Sequence, residues 1–170
     1  MNTREISVAA VTAALYATLV IALAPISYGP VQLRVADCLI PLSALLGWPV
    51  AVGVALGAFV GNFYFFLGPA DVVFGALANL LAGLLIWKMR GRLIVGCVGA
   101  AVVIGGIVGG YLWTFFSPPD IFGVTLPVWL AMIVSITLSS LIAVAVLGYG
   151  LVRALEAAGF RRLIESRGLG

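Results

Sequence analysis

Arg34 and Asp37 stand three residues apart in a run that is otherwise apolar, with the amide of Gln32 beside them. On a helix that spacing puts both charges on one face, where they can pair. A charge midway along a membrane helix costs ~2.5–3.5 kcal/mol, so such a pair is tolerated where it neutralises itself or meets a ligand. Two readings stay open: an interfacial ion pair that holds the first loop, or one polar wall of a binding pocket. Asp71 follows Pro69-Ala70 at a helix start, where aspartate caps well, and capping is compatible with ligand binding. Asn79 lies a little over two turns further on, so both side chains can point along one side of the same helix. Asn62 and Asn79 either glue helices together or read the donors and acceptors of a ligand. Tyr111, Trp113, Phe115, Phe116 and Trp129 form an aromatic belt from which one or two rings can stack on a flat molecule. Together these groups suggest a pocket for a small, polar, planar solute.

The rest of the chain says where such a pocket must sit. Of 170 residues, 64% are hydrophobic and 9% charged, and the mean hydropathy is +1.25; ordinary soluble domains are ~45–50% apolar and ~25% charged. Apolar runs long enough to span a bilayer recur throughout, which points to an all-α membrane protein, one domain over 1–170 with no separate soluble part. There is no histidine, so imidazole-based metal sites and serine-histidine triads are excluded. Lys88 is the only lysine and no GxxxxGK[ST] segment exists, so a P-loop is absent and energy for any pumping comes from another subunit. No cofactor is implied. Cys38 and Cys97 sit far apart in apolar surroundings and are read as small hydrophobes. The net charge of +3 gives no reason to invoke nucleic acid.

Charges, prolines and glycines divide the chain into six spans at about 5–24, 31–46, 49–67, 71–88, 93–116 and 124–152. The stretch from Met1 to Pro25 is longer than a signal-peptide core and is read as a retained first span. The second span is short, ~24 Å against a hydrocarbon core of ~30 Å, so it should line an enclosed or wet cavity. The positive-inside rule orients the six: with both termini cytoplasmic, Arg34 is the only one of nine basic residues left outside, together with Asp37, Asp71 and Asp120. Small residues four apart mark close helix contacts: Ala9, Ala13 and Ala17 in span one, Gly53, Gly57 and Gly61 in span three, Gly105/Gly109 beside Gly106/Gly110 in span five. The alanine row lies at the cytoplasmic end, where a partner subunit can dock.

Two segments carry a resemblance: Ile26-Ser27-Tyr28-Gly29-Pro30-Val31-Gln32-Leu33-Arg34-Val35-Ala36-Asp37, and Leu67-Gly68-Pro69-Ala70-Asp71 running on to Asn79-Leu80. They resemble the QueT family, substrate-binding S components of energy-coupling-factor transporters assigned to queuosine precursors. The likeness takes in the alanine-rich first helix and Val146-Leu147-Gly148, and is strongest from Glu5 to Leu85. It implies a six-helix plasma-membrane S component that captures a 7-deazaguanine or queuine and associates with a membrane-coupling subunit and two ATPases. It also implies a docking role for Ala9, Ala13 and Ala17, hydrogen-bonding roles for Asp37, Asp71 and Asn79, and a stacking role for Trp113. Where relatives carry a Gly-Glu pair in the last helix, this chain has Ser139-Ser140, which bears on the identity of the substrate. The alternatives are an S component for another vitamin-like solute or a channel or facilitator working alone; an enzyme would have to rely on Asp37, Asp71 and Asp120.

Overall fold

Backbone satisfaction in an apolar chain demands helices, and helices are what form. The computed structural model describes residues 1–27, 33–117 and 126–160, and among them there is no strand. Helix α1 spans Thr3–Ala22. It is started by a reciprocal cap in which Asn2 Oδ1 accepts from Glu5 N at 2.9 Å while Asn2 N donates to Glu5 Oε2 at 2.7 Å. A single turn, Ala24–Ser27, follows it.

Helix α2, Val35–Leu46, begins as a tight 3-10 helix, Val35–Leu42, with Pro41 inside it, and ends as one α-turn, Ser43–Leu46. Proline has no N–H to donate and favours such an irregular stretch. At the rises of the two helix types α2 is roughly 22 Å long, still short of the hydrocarbon thickness. Gly47 then turns the chain at φ 83°, a conformation that side chains other than glycine resist, and α3 follows at Trp48–Tyr64 with proline in its first turn. Helix α4 is Pro69–Lys88 and α5 is Leu93–Leu112, joined by one 3-10 turn at Arg90–Arg92. Helix α6 is Val128–Ala157; within it Leu141–Gly148 widens into π geometry.

Among the described residues four helical stretches are long and apolar enough to cross a membrane: Thr3–Ala22, Pro69–Lys88, Arg90–Leu112 and Val128–Ala157. Val35–Leu46 and Trp48–Tyr64 are apolar but shorter. The expected second and third spans are therefore present as helices, each shorter than its forecast, because Arg34 sits in a tight turn closed by Val35 N on the Leu33 carbonyl at 3.1 Å before α2 begins, and α3 ends at Tyr64. Helix α6 runs past the expected end at 152, its last turn carrying an Arg153–Glu156 ion pair at 2.9 Å.

Packing follows the small residues. Helix α1 lies along α3, then α3 on α4, α4 on α5 and α5 on α6, while α2 touches α1, α3, α4 and α6 from the middle. A Cβ placed on Gly53 would come within 2.6 Å of the Ala9 carbonyl oxygen, and one on Gly57 within 2.7 Å of the Ala13 carbonyl oxygen and Tyr16 Cβ. Those glycines let the two backbones meet. Gly109 is pressed in the same way against Ile133 of α6. Large apolar side chains such as Phe59, Phe63, Phe74 and Leu81 are exposed, while polar ones are inside: the outer surface suits lipid and the core is where polarity collects.

Candidate functional site

The interior polar groups fall into two linked knots around the start of α2. Asp71 is 0% exposed, Asp37 and Asn79 2%, and Arg34 7%, so each must be satisfied by protein or ligand. In the first knot the Tyr16 hydroxyl of α1 donates to Asp37 Oδ1 at 2.5 Å and accepts from Asn79 Nδ2 of α4 at 2.6 Å. Three helices are thereby tied through one phenol oxygen. In the second, Tyr111 of α5 donates to Asp71 Oδ1 at 2.9 Å, Arg34 Nη2 lies 4.0 Å from the same oxygen, and Asn62 of α3 donates to the Asp71 backbone carbonyl at 2.9 Å. Asp71 Oδ2 is buried without a hydrogen-bond partner among the described residues.

Eight residues of α4 separate Asp71 from Asn79, ~12 Å along the axis, and Arg34 stands between the knots. Arg34, Asp37 and Asn79 share a small cavity with Ser140 of α6 and the apolar side chains Ile104, Val108 and Ile136. Its volume is about 10 Å³, at the lower limit for one water molecule.

Each expected site residue can now be placed. Arg34, Asp37, Asp71 and Asn79 do converge, from α4 and the beginning of α2. Arg34 shares the small cavity with Asp37 and also lies 4.0 Å from Asp71 on another helix, since it precedes the first turn of α2 and its side chain can cross to α4. Asp71 makes no side-chain cap; Tyr111 holds its carboxylate instead, while its place in the first turn still matches the helix dipole. Trp113 is not brought in: it is 43% exposed, and its indole N–H donates to the Gly110 carbonyl at 2.9 Å. Gln32 and Asp120 lie outside the described residues. The alanine row also differs from expectation. Ala9 is buried on the side of α1 that meets Gly53, and Ala13, beside Gly57, and Ala17 are half-buried; Ala10 and Ala14, on the adjacent row, are exposed.

Sequence reasoning passed over Tyr16 and put Tyr111 in the aromatic belt. A signal existed for the first: a phenol in the middle of an apolar helix needs a partner for its hydroxyl. Ser140, noticed only as a departure from a family pattern, lines the cavity. Cys38 and Cys97 are both free thiols.

The description QueT transporter matches residues 6–157, nearly the whole chain and all the site residues named above. The chain belongs to the QueT transporter family. No curated protein and no solved structure matches it. Membership of the QueT family makes this a transporter and not an enzyme, and the buried charges belong to a membrane protein whose role is to handle a solute.

Proposed function

We propose that the chain is the substrate-binding S component of an ATP-driven energy-coupling-factor importer for a queuosine precursor, a 7-deazaguanine or queuine. The observation that carries the reading is the buried carboxylate of Asp71, with one oxygen held by Tyr111 and the other without a hydrogen-bond partner among the described residues. A guanine-like edge presents adjacent N–H donors, which a carboxylate accepts in paired, charge-assisted hydrogen bonds. Arg34, Asp37 and Asn79 supply the complementary donors and acceptors, and Gln32 is assigned to the same wall. Ser140 takes the position at which a further carboxylate is expected in relatives, so the ligand is read here with one acid fewer.

The same reading makes the protein a six-span plasma-membrane subunit with both termini cytoplasmic, α2 and α3 counting as short spans. Without a P-loop it draws energy from a membrane-coupling subunit and two ATPases. Docking of that coupling subunit is assigned to the exposed Ala10/Ala14 side of α1, one row round from the Ala9/Ala13/Ala17 row.

Titration of the purified protein with deazaguanines, queuine, riboflavin and thiamine, followed by tryptophan fluorescence, tests the substrate. A response to a deazaguanine or queuine is expected. A response to another vitamin alone would reject the queuosine assignment and leave an S component of different specificity. Asp71→Ala and Arg34→Ala should each weaken binding about tenfold or more, as loss of a charged hydrogen-bond partner does, with expression intact. Unchanged affinity in both would remove these residues from the site.

A further inference from the structure

At the opposite end of α4 from Asp71, a cavity of about 490 Å³ opens between the α4–α5 turn and the last turns of α6. Arg90 and Arg92 of the turn, Arg153 and Tyr149 of α6, and Ile94 and Val95 at the start of α5 are among its walls. Among the described residues Glu156 is the one carboxylate that lines it, and Arg153 holds that carboxylate at 2.9 Å. Arg90 and Arg92 are exposed and form no ion pair among the described residues. Three guanidiniums against one acid give the described walls a positive excess, and guanidinium is the group best suited to phosphate.

From Ile94 an exposed apolar row climbs α5 at every fourth residue, with Ile94 47%, Val98 42% and Val102 55% exposed. That row is exposed and starts at Ile94, one of the cavity's own walls. We propose that this cavity is a binding site for one anionic phospholipid, its phosphate held by Arg90, Arg92 and Arg153 and an acyl chain laid along Ile94, Val98 and Val102. Basic pockets between membrane helices near a leaflet surface bind acidic headgroups on these grounds. A free phosphate shares the headgroup chemistry but has no use for the apolar row. The site is separate from the Arg34–Asp71 cluster and does not depend on the transported solute.

Native mass spectrometry of the full chain in non-ionic detergent, with equal amounts of phosphatidylglycerol and phosphatidylcholine of the same acyl chains, tests this. One phosphatidylglycerol should be retained in preference to phosphatidylcholine. Each arginine near an anionic lipid contributes about fivefold in affinity, so Arg90→Gln/Arg92→Gln should weaken retention roughly 30-fold and Arg90→Lys/Arg92→Lys much less. Arg4→Gln, an exposed basic residue in the first turn of α1 that is not among the cavity walls, should leave it unchanged. If the double glutamine variant fails to fold, Arg92→Gln alone carries the comparison with about a fivefold loss. Equal retention of the two lipids, or no loss in the glutamine variants, overturns the proposal. So does displacement of the lipid by inorganic phosphate at matching concentration, which would make the site one for a free anion. Burial of these arginines by an acidic protein partner, without selectivity for phosphatidylglycerol, overturns it as well.

Discussion

Removing a single oxygen atom from α1 tests the idea that the polar cluster is a structural unit. Tyr16→Phe deletes the hydroxyl that donates to Asp37 at 2.5 Å and accepts from Asn79 at 2.6 Å, and it changes nothing else about a fully buried ring. Interhelical hydrogen bonds in membrane proteins are worth ~0.6 kcal/mol on average and up to ~1.7, because the unfolded chain in the membrane also finds partners. Two such bonds, one to a carboxylate, amount to about 1–3 kcal/mol. At ~2–4 °C per kcal/mol for a chain of this size, the melting temperature in detergent should fall by several degrees. The sharper measurement is a double-mutant cycle with Asp37→Leu, which removes the partner. Once Asp37 is gone, Tyr16→Phe should cost about 1 kcal/mol less than it does in the native background. Additive losses within ~0.3 kcal/mol would show that the two side chains are neighbours without energetic coupling, and the three-helix tie would have to be abandoned.

Other perturbations separate packing from recognition. Gly57→Ala puts a methyl against the Ala13 carbonyl and Tyr16 Cβ, neither of which can rotate away, and should cost about 1–3 kcal/mol; Gly110→Ala, with open space around it, should leave the melting temperature unchanged. Ala14→Leu, on the exposed row of α1, should abolish co-purification with a coupling subunit while ligand binding in detergent persists, and retained co-purification would move the docking face elsewhere. Ile136→Ala enlarges the cavity from the α6 side: the melting temperature should fall by an amount typical of a core truncation, about 2–5 kcal/mol, yet ligand affinity should hold or rise. Loss of both would place the opening motion on another helix.

The helical membrane character, the six apolar segments and the residues that converge were legible because charge is scarce: with 9% of residues charged, each one inside a span calls for an explanation. Arg34, Asp37, Asp71 and Asn79 stood out on that ground alone. Their partners on other helices did not, since helical spacing describes neighbours on one helix, as for Arg34 and Asp37, whereas the structure also joins Arg34 to Asp71 and Asp37 to Tyr16 across helices. The register of the alanine rows was hidden for a similar reason. Ala9/Ala13 and Ala10/Ala14 have identical spacing, and only the position of Gly53 and Gly57 on α3 decides which row is covered. The 3-10 start of α2 and the π stretch of α6 were likewise invisible, because both are set by contact: Gly148, which ends the π stretch, is packed against Pro41 and the Cys38 carbonyl of α2. Tyr16 was missed because an aromatic in an apolar helix reads first as core.

The room left among the described residues of the cluster constrains how a ligand binds there. The cavity among Arg34, Asp37, Asn79 and Ser140 measures about 10 Å³, more than an order of magnitude below the ~300 Å³ at which ligand pockets begin. On the reading proposed above, a bicyclic base needs more room than the described residues leave there; where helices must part to admit it, its observed affinity is the intrinsic affinity multiplied by the fraction of molecules that are open. The elements that meet at the cavity are held together by the groups that would contact a ligand: Tyr16 bridges α1, α2 and α4, and Arg34 faces Asp71 across the interior. A solute that offers donors to Asp71 and acceptors to Arg34 replaces those contacts as it enters, so recognition and opening exchange equivalent hydrogen bonds. One that lacks them must open the bundle and leave charges unpaired in a low-dielectric interior, which costs several kcal/mol. Selectivity would then arise from the contacts the solute must break to get in as much as from the pocket it finds.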